Sequence, residues 1–287
     1  MGIAPATGPV QTSDDAQHRR PAAGTGSLLD LDPDLGQLLD PQRHASARAE
    51  LRVRLLRLPR GEWTGGALSA TDSSHLGLLV IDGAIAREVV LADTISSELL
   101  GPGDLIRPWG PDGAPRLLGQ QCRWQVLADA RLAVLTRGFG AVVARYPEVS
   151  TMLIDRIDDR AERLATLKAI GQLNSVERRL IALFWHLAER WGRMTADGVV
   201  VPLTLSHRLL GEFVGARRPT VSTALAGLAR EGRLMRRGSG DWLLADEPEG
   251  TTVRRVVSHR RRLLADGPPQ RRPAAAGAAR DGRFARA

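Results

Sequence analysis

The sequence predicts an α+β fold in which an N-terminal antiparallel β-barrel is joined by a long helix to a C-terminal winged helix-turn-helix. Three patterns predict this architecture. Short apolar runs separated by turn residues recur over residues 53–136, which is typical of a small antiparallel barrel or sandwich. A long helical pattern follows over residues 146–172. Residues 209–232 then have the pattern of two short helices joined by a tight turn.

These patterns divide the chain into five segments. Residues 1–27 are rich in Ala, Gly, Pro and Thr without periodicity, and we predict that they are disordered. We place the β-barrel at residues 28–145, the connecting helix at 146–173 and the winged helix-turn-helix at 174–246. Residues 247–287 are predicted to form a disordered, arginine-rich tail.

Composition and charge exclude several classes of protein. No apolar run is long enough to span a membrane, and the first residues lack the pattern of a signal peptide, so we expect a cytoplasmic protein. The single cysteine, Cys122, rules out an internal disulfide. The net charge of +8 lies in residues 251–287, where ten arginines outnumber two aspartates, and the remaining chain balances with 30 basic and 30 acidic residues. Net charge is therefore poor evidence for nucleic-acid binding.

The first half begins with a short amphipathic piece from Leu28 to about Leu39, followed by a helix predicted for the sequence RHASARAELRV. Strands are predicted in HLGLLVIDGAIAREVVL, SELLGPGDLIRPWG and RWQVLADARLAVLT. Asp82-Gly83 and the run from Gly101 to Asp104 supply the turn signals between them.

The connecting helix carries an apolar seam near heptad spacing, formed by Leu153, Ile157, Leu164, Leu167 and Gly171. Such a seam can pair two helices in a dimer, so the sequence predicts a homodimer. The alternative is a helix that lies along its own barrel, and the seam is too short to decide between the two.

The C-terminal segment begins with a further helical pattern. Asn174 or Ser175 offers its N-cap, and VERRLIALFWHLAERWG carries an apolar stripe. After Gly192 the run VVVPL predicts a short strand. Beyond Gly232 the runs LMRR and DWLL bracket a Gly-Ser-Gly turn and predict a hairpin wing.

The two short helices lie in LLGEFVGARRPTVSTALAGLAREG. Ser206 is the predicted N-cap of the first helix, and Gly215 can adopt the positive φ that a sharp turn between helices needs. Pro219 falls in the first turn of the second helix, where its missing N–H costs little. The buried stripe of the second helix is predicted to be Val221, Leu225 and Leu228.

This stripe leaves the N-terminal turn of the second helix exposed, which suits a helix that inserts into the major groove of DNA. Arginine can donate to O6 and N7 of guanine together, and hydroxyl groups can contact phosphates. The alternative is that these side chains merely solvate a helix of an arginine-rich protein. The predicted DNA-binding residues are Arg217, Arg218, Thr220, Ser222 and Thr223 on the second helix, His207 at the start of the first, and Arg236 and Arg237 near the wing.

Three stretches resemble the cyclic-AMP receptor and fumarate–nitrate regulator (Crp/Fnr) family: VERRLIALFWHLAERWG, VVVPLTLSHRLLGEFVGARRPTVSTALAGLAREG and the wing. HLGLLVIDGAIAREV and LLGPGDLIRPWG are more loosely similar to the paired strands and the turn of a cyclic-nucleotide-binding-like jelly roll. The resemblance covers about residues 28–244. It implies a transcription regulator, a homodimer that binds a palindromic promoter site, and RNA polymerase as a further partner.

The resemblance also assigns roles on the second helix. Arg218 matches the principal base-contacting arginine of the family. Pro219 stands where some members have an acidic base contact, and Thr223 stands where they have a second basic one. We therefore expect this protein to bind a different DNA sequence.

The barrel departs further from the family. Members that bind cyclic nucleotide hold the ribose with a glycine-glutamate pair and the phosphate with a nearby arginine on a short helix. Gly103-Asp104 resembles the turn, but prolines in IRPWGPDGAPRLLGQQCRWQV disfavour that helix. Arg107 and Arg116 are phosphate candidates by proximity alone. The sequence therefore predicts no cofactor, with a cyclic nucleotide as the alternative, and the barrel either binds an unidentified effector or acts as a scaffold.

No pattern predicts an enzyme. The six histidines are scattered without a pair at metal-ligand spacing, so no metal site is predicted. The alternative function is a ligand-binding or protein-interaction module whose winged domain docks on protein instead of DNA. The arginine-rich tail either adds sequence-independent affinity for DNA phosphates or is an extension without a role.

Overall fold

An antiparallel sheet forms the first half of the protein in the computed structural model, which describes residues 24–64, 76–108 and 118–245. Its hydrogen-bonded order is β1-β2-β7-β4-β5, with β3 paired to β7 and β6 paired to β4. The long strands β4 and β7 change register between Val80 and Ile85, which bends the sheet. The strands are β1 (Gly24–Ser27), β2 (Arg52–Leu58), β3 (Gly61–Trp63), β4 (Gly77–Leu91), β5 (Thr94–Leu100), β6 (Leu105–Ile106) and β7 (Gln120–Leu135).

One face of this sheet carries a cluster of buried apolar side chains, with Trp63 against Trp124 at a ring-centroid distance of 5.7 Å. The predicted α+β class with an N-terminal antiparallel sheet is confirmed. Among the described strands no hydrogen bonds join β1 to β5, so the pairing does not form a closed ring. Residues 24–27 correct the prediction of a disordered segment over residues 1–27, because they pair with β2 and bury Ser27. Residues 1–23 and the tail from 246 onward lie outside the described residues.

A second apolar core lies where short helices cover the sheet. The helices are α1 (Leu28–Leu31), α2 (Pro41–Glu50), α3 (Arg137–Val143) and α4 (Pro147–Gly171), with a 3-10 turn at Pro33–Gly36. The helix predicted in RHASARAELRV ends earlier than expected, at Glu50, because its last residues enter strand β2. Asp40 caps α2 by accepting a hydrogen bond from the Arg43 amide at 2.8 Å.

Helix α4 is the predicted connecting helix, but its apolar residues divide between two faces. Leu153 is buried in the second core, and Leu167 packs on the core of the C-terminal domain. Ile157 and Leu164 remain 51% and 39% exposed, and Ile154, which the seam omitted, is 64% exposed. The predicted seam is therefore wrong as a single stripe, because part of it packs within the chain. The exposed α4 stripe consists of Ile154, Ile157 and Leu164.

The C-terminal domain is a helical core with a small sheet. Its helices are α5 (Val176–Trp191), α6 (His207–Val214) and α7 (Arg218–Arg230), and its strands are β8 (Arg193–Thr195), β9 (Gly198–Val201), β10 (Leu234–Arg236) and β11 (Trp242–Leu244). The sheet order β10-β11-β9-β8 makes β10 and β11 the predicted wing. Ser175 is the N-cap of α5, since its hydroxyl accepts from the Arg178 amide at 3.2 Å. No helix in the described residues is long and apolar enough to cross a membrane.

The apolar core of the C-terminal domain continues onto the first sheet. Ala84 and Ala86 of β4 and Leu99 of β5 are buried in the same cluster as the side chains of α5, α6 and α7. The face of the sheet opposite the Trp63–Trp124 cluster therefore contacts the C-terminal domain directly, and the two halves share an apolar interface.

Candidate nucleic-acid interface

The turn between α6 and α7 follows from two glycines and a cap. Ser206 caps α6 by accepting from the Leu209 amide at 3.2 Å. Gly215 ends the helix with φ +64° and ψ +43°, the left-handed conformation predicted for it. Gly211 has a different role, because a Cβ atom there would lie 2.4 Å from the carbonyl oxygen of Ala216. The turn therefore requires glycine at position 211, because there is no room for a side chain. This constraint depends on packing and was not predicted.

Helix α7 begins at Arg218, with Arg217 as its N-cap residue and Pro219 in its first turn. No side chain of the described residues caps these first amides. The helix is anchored by a buried stripe of Val221, Ala224, Leu225 and Leu228. The N-terminal turn therefore points its amides and side chains away from the core, the arrangement in which a helix end contacts an anion or a base edge.

Four of the predicted DNA-binding residues lie on the exposed surface of α7: Arg217, Arg218, Thr220 and Thr223. Within the described part of the chain, neither arginine forms an ion pair. The Thr223 hydroxyl donates to the Pro219 carbonyl at 3.2 Å, which leaves its methyl group and oxygen lone pairs facing outward. This surface is positively charged, polar and open to a ligand.

Ser222 and His207 are half-buried and contact each other instead of facing outward. The Ser222 hydroxyl donates to the Arg218 carbonyl at 3.0 Å, and its oxygen lies 2.8 Å from Nδ1 of His207. Because the hydroxyl has a single proton, Nδ1 is the donor in this pair. Partial burial, and then the charges of Arg236 and Arg218, lower the pKa of His207. The lowered pKa favours the neutral imidazole, which connects α6 to α7 through Ser222.

The two predicted arginines of the wing differ in their contacts. Arg236 lies at the end of β10, with its guanidinium carbon 5.8 Å from the centre of the Trp242 ring. Arg237 forms an exposed ion pair with Asp197 at 3.4 Å, and its backbone closes the hairpin turn with Asp241. An exposed pair of this length is weak, so both arginines can turn toward a phosphate.

In the described part of the first sheet, the polar groups that could hold a cyclic nucleotide are already engaged. The face that carries Trp63 and Trp124 is apolar, and the Arg107 Nε donates to the Leu76 carbonyl at 2.8 Å. The carboxylate of Asp104 is already bound by the Gly101 amide and by Arg163 and Arg190. None of the described residues is thus placed to hold both a ribose and a phosphate, and Arg116 lies outside the described residues.

Other chemistry has little support in the described ranges. No group of three or more metal-ligating side chains converges there. Cys122 is exposed and lies on β7, with Sγ 3.7 Å from the Arg87 guanidinium. The exposed N-terminal turn of α7 is the cluster of polar side chains best arranged for recognition.

Comparison with known proteins identifies the domain that contains this turn. Residues 178–249 match the model of the Crp-like helix-turn-helix domain. That range contains α6, the Gly215 turn, α7 and the wing. No curated protein sequence matches the chain.

Solved structures share the fold at low sequence identity. A cyclic nucleotide-binding domain containing protein from Listeria monocytogenes EGD-e matches 75% of this chain and 98% of its own, with a TM-score of 0.55 and 18% identity. A CprK variant in complex with OCPA matches 77% of this chain and 91% of its own, with a TM-score of 0.50 and 15% identity. A CooA mutant from Carboxydothermus hydrogenoformans matches 68% and 84%, with a TM-score of 0.50 and 20% identity. At these identities the likeness shows the fold alone.

The winged helix-turn-helix and the family match define the class as a DNA-binding protein. The resemblance predicted from the sequence is confirmed for residues 178–249, and the chain is a DNA-binding transcription regulator with a Crp-like helix-turn-helix domain.

Proposed function

We propose that the protein is a homodimer that binds a two-fold symmetric promoter site, with the N-terminal turn of α7 in the major groove of each half-site. In this proposal residues 28–145 form the sensor-like domain, 146–173 the connecting helix and 174–246 the DNA-binding domain. The observation that carries it is the outward-facing pair Arg217 and Arg218 at the start of a helix whose opposite face is buried.

The chemistry of α7 supports contacts to both bases and phosphates. Arg218 starts the helix, where a guanidinium fork can donate to O6 and N7 of guanine. Thr220 and Thr223 present hydroxyl and methyl groups on the same exposed face, suited to a phosphate or a thymine methyl. Arg217, Arg236 and Arg237 add positive charge beside it, which suits the phosphate backbone.

The homodimer is supported by the exposed α4 stripe. Ile154, Ile157 and Leu164 are large apolar side chains separated by three and seven residues along one helix, and all three are at least 39% exposed. These spacings place the three residues at a and d positions of successive heptads. A second copy of the same helix would bury the stripe on both chains at once, as a two-fold contact does.

The DNA contact is tested by reversing charge at the two ends of α7. The variant Arg217→Glu/Arg218→Glu is compared with Arg230→Glu/Arg233→Glu, which makes the same change in net charge at and beyond the C-terminal end of the helix. Binding to a pool of random duplexes is measured by fluorescence anisotropy at fixed salt. We expect the first variant to lose roughly a hundredfold or more in affinity, because bidentate base contacts and phosphate contacts are both lost.

The second variant is expected to lose far less, because its arginines lie away from the first turn of α7. Equal losses of DNA affinity in the two variants would show that the loss comes from the change in net charge and not from contacts of Arg217 and Arg218. Full DNA affinity after reversal at Arg217 and Arg218 would leave the alternative, in which the winged domain docks on protein.

The dimer is tested by placing a charge in the exposed α4 stripe. Ile157→Glu is expected to sediment as a monomer at micromolar concentration while the wild type sediments as a dimer, since two buried carboxylates would face each other. Leu38→Glu is the control, because Leu38 is an apolar residue of similar exposure, 46%, outside α4. A wild-type monomer, or an Ile157→Glu dimer, would contradict this part of the proposal.

A further inference from the structure

Charged and polar side chains that are buried in the first half lie at one interface. Apart from Ser27, the buried polar residues among the described ranges are Glu88, Ser97, Glu98 and Asp104. Each contacts a helix of the second half of the chain: Glu88 and Ser97 contact α6, Glu98 contacts α4, and Asp104 contacts both α4 and α5. Buried polar groups of the sheet are therefore concentrated where it meets α4 and the DNA-binding domain.

Asp104 joins three parts of the chain. Its side chain is 1% exposed and accepts from the Gly101 amide at 2.8 Å, which closes the turn between β5 and β6. Oδ1 accepts from Nη2 of Arg163 on α4, and Oδ2 accepts from Nη1 of Arg190 on α5 at 2.6 Å. One carboxylate thus connects the sheet, the connecting helix and the first helix of the DNA-binding domain.

The surroundings of this carboxylate restrict movement. Arg190 also donates to the Pro102 carbonyl, and its guanidinium carbon lies 4.9 Å from the centre of the Trp191 ring. A Cβ atom on Gly101 would lie 2.6 Å from Cζ2 of Trp191, so the turn and α5 are in close contact. Charge-assisted hydrogen bonds in a buried site are strong and directional, and therefore favour one relative position of α4 and α5.

A second set of contacts holds α6 to the same sheet. Nη2 of Arg208 lies 3.0 Å from Oε1 of Glu88, and Ser97 donates to Oε2 of Glu212 at 2.6 Å. Arg208 also pairs with Glu212 one turn along α6. Because α6 is joined to α7 by a tight turn, the contacts that hold α5 and α6 to the sheet also set the direction of α7.

We propose that Asp104 is a positioning residue for DNA recognition: by binding Arg163 and Arg190 together, it holds the DNA-binding domain at one orientation to α4 and so fixes the half-site spacing that the dimer accepts. The inference rests on the proposed dimeric DNA binding. Each added base pair moves a half-site by about 3.4 Å and rotates it by roughly 35° around the duplex. If the two α7 helices of the dimer are held rigidly, they cannot both reach half-sites that have been displaced in this way. Loosely held DNA-binding domains can.

The test uses full-length protein and duplexes that carry two copies of the selected half-site, with the spacer shortened or lengthened by one or two base pairs. A duplex with a single half-site is measured in parallel. Asp104→Asn removes the shared charge with little change in volume, and Arg190→Gln removes the link to α5 while Asp104 keeps Arg163. Glu148→Gln is the control, because it breaks an ion pair between α4 and α2, at 2.9 Å from Arg43, away from the DNA-binding domain.

We expect the wild type and Glu148→Gln to lose about tenfold or more in affinity when the spacer changes. Asp104→Asn and Arg190→Gln are expected to lose less than about threefold over the same series, with unchanged affinity for the single half-site. A variant that fails to fold would lose affinity for the two-site and the single-site duplexes together. Its melting temperature and sedimentation would identify this loss of folding.

The outcomes separate the two claims. A wild type that does not bind duplex DNA would overturn the proposed function. A wild type with a strict spacer preference that Arg190→Gln retains in full would overturn the role of Asp104 alone. If Asp104→Asn fails to fold, the Arg190→Gln profile decides the question.

Discussion

Arginine side chains at the inner and outer surfaces of the DNA-binding domain have opposite surroundings. On the inner side, Arg190 and Arg208 of that domain and the neighbouring Arg160 and Arg163 of α4 each pair with a buried carboxylate of the first half. On the outer side, Arg217 and Arg218 are exposed and form no ion pair within the described residues. The same residue type is thus used to fix the domain on one side and is left available on the other.

The difference shows how one residue type can both position a domain and bind DNA in an arginine-rich chain. A buried carboxylate that loses its arginine keeps an uncompensated charge, so the inner arginines are held to their partners. The outer arginines have no such partner to leave and can bind phosphate or guanine directly. In this structure, an arginine that pairs with a buried carboxylate holds the domain in position, and an arginine without such an ion-pair partner is available to bind DNA.

The largest effect on stability is expected where the inner and outer surfaces are joined, at the turn between α6 and α7. Gly211→Ala would place a Cβ atom 2.4 Å from the Ala216 carbonyl oxygen, and we expect unfolding free energy to fall by about 3 kcal/mol. Urea denaturation measures the change. Gly227→Ala is the control, since its nearest neighbour would be the Arg230 side chain at 3.8 Å, and it should stabilise α7 by up to about 1 kcal/mol.

A wild-type-like stability of Gly211→Ala would show that α6 and α7 can move apart, which would weaken the link between the two surfaces. A loss in both variants would point to helix flexibility as the cause instead of the close approach.

A smaller effect is expected from removing one inner arginine. Arg208→Gln leaves Glu88 and Glu212 without their shared counter-charge, and we expect a loss of about 1–2 kcal/mol, toward the low end because the Arg208 side chain is 51% exposed. Arg218→Gln removes the same charge from the outer surface and should change stability by less than about 0.5 kcal/mol. Guanidinium denaturation of the two variants side by side tests the comparison. Equal losses of stability in the two variants would contradict the distinction between the inner and the outer arginines.

The smallest effect concerns His207, which lies between the two surfaces. Its pKa is lowered by partial burial and by Arg236 and Arg218, so the unfolded chain binds the proton more tightly than the folded one. Stability from the neutral imidazole is therefore complete above the ordinary histidine pKa of about 6.5 and decreases as pH falls below it. Between pH 7.5 and 5.5 the wild type should lose more stability than His207→Gln. An equal loss in both proteins would exclude this contribution.

The helix-turn-helix was predictable because its signals are local. Ser206, Gly215 and Pro219 specify a cap, a left-handed turn and a helix start within a few residues of their effect. The wing followed from apolar runs around a glycine turn for the same reason. Gly211 was missed, because its close neighbour, Ala216, is known once the two helices are placed.

The inner surface was not predictable from local pattern. Asp104 and Arg190 are 86 residues apart, and Glu88 and Arg208 are 120 residues apart. Arg156 and Arg160 of α4 likewise bind carboxylates that are distant in sequence, Asp32 and Glu98, which lie 124 and 62 residues away. The division of the predicted α4 seam has the same origin, since Leu153 and Leu167 are covered by elements distant in sequence.

The central claim, that the start of α7 specifies the DNA site, is tested most directly by selecting duplexes from a random library with the wild type and with Arg218→Ala. The account predicts that the wild type recovers a two-fold symmetric motif with a guanine in each half-site, and that Arg218→Ala loses the preference at that guanine while it keeps the rest of the motif. Recovery of the same motif by both proteins would contradict the account.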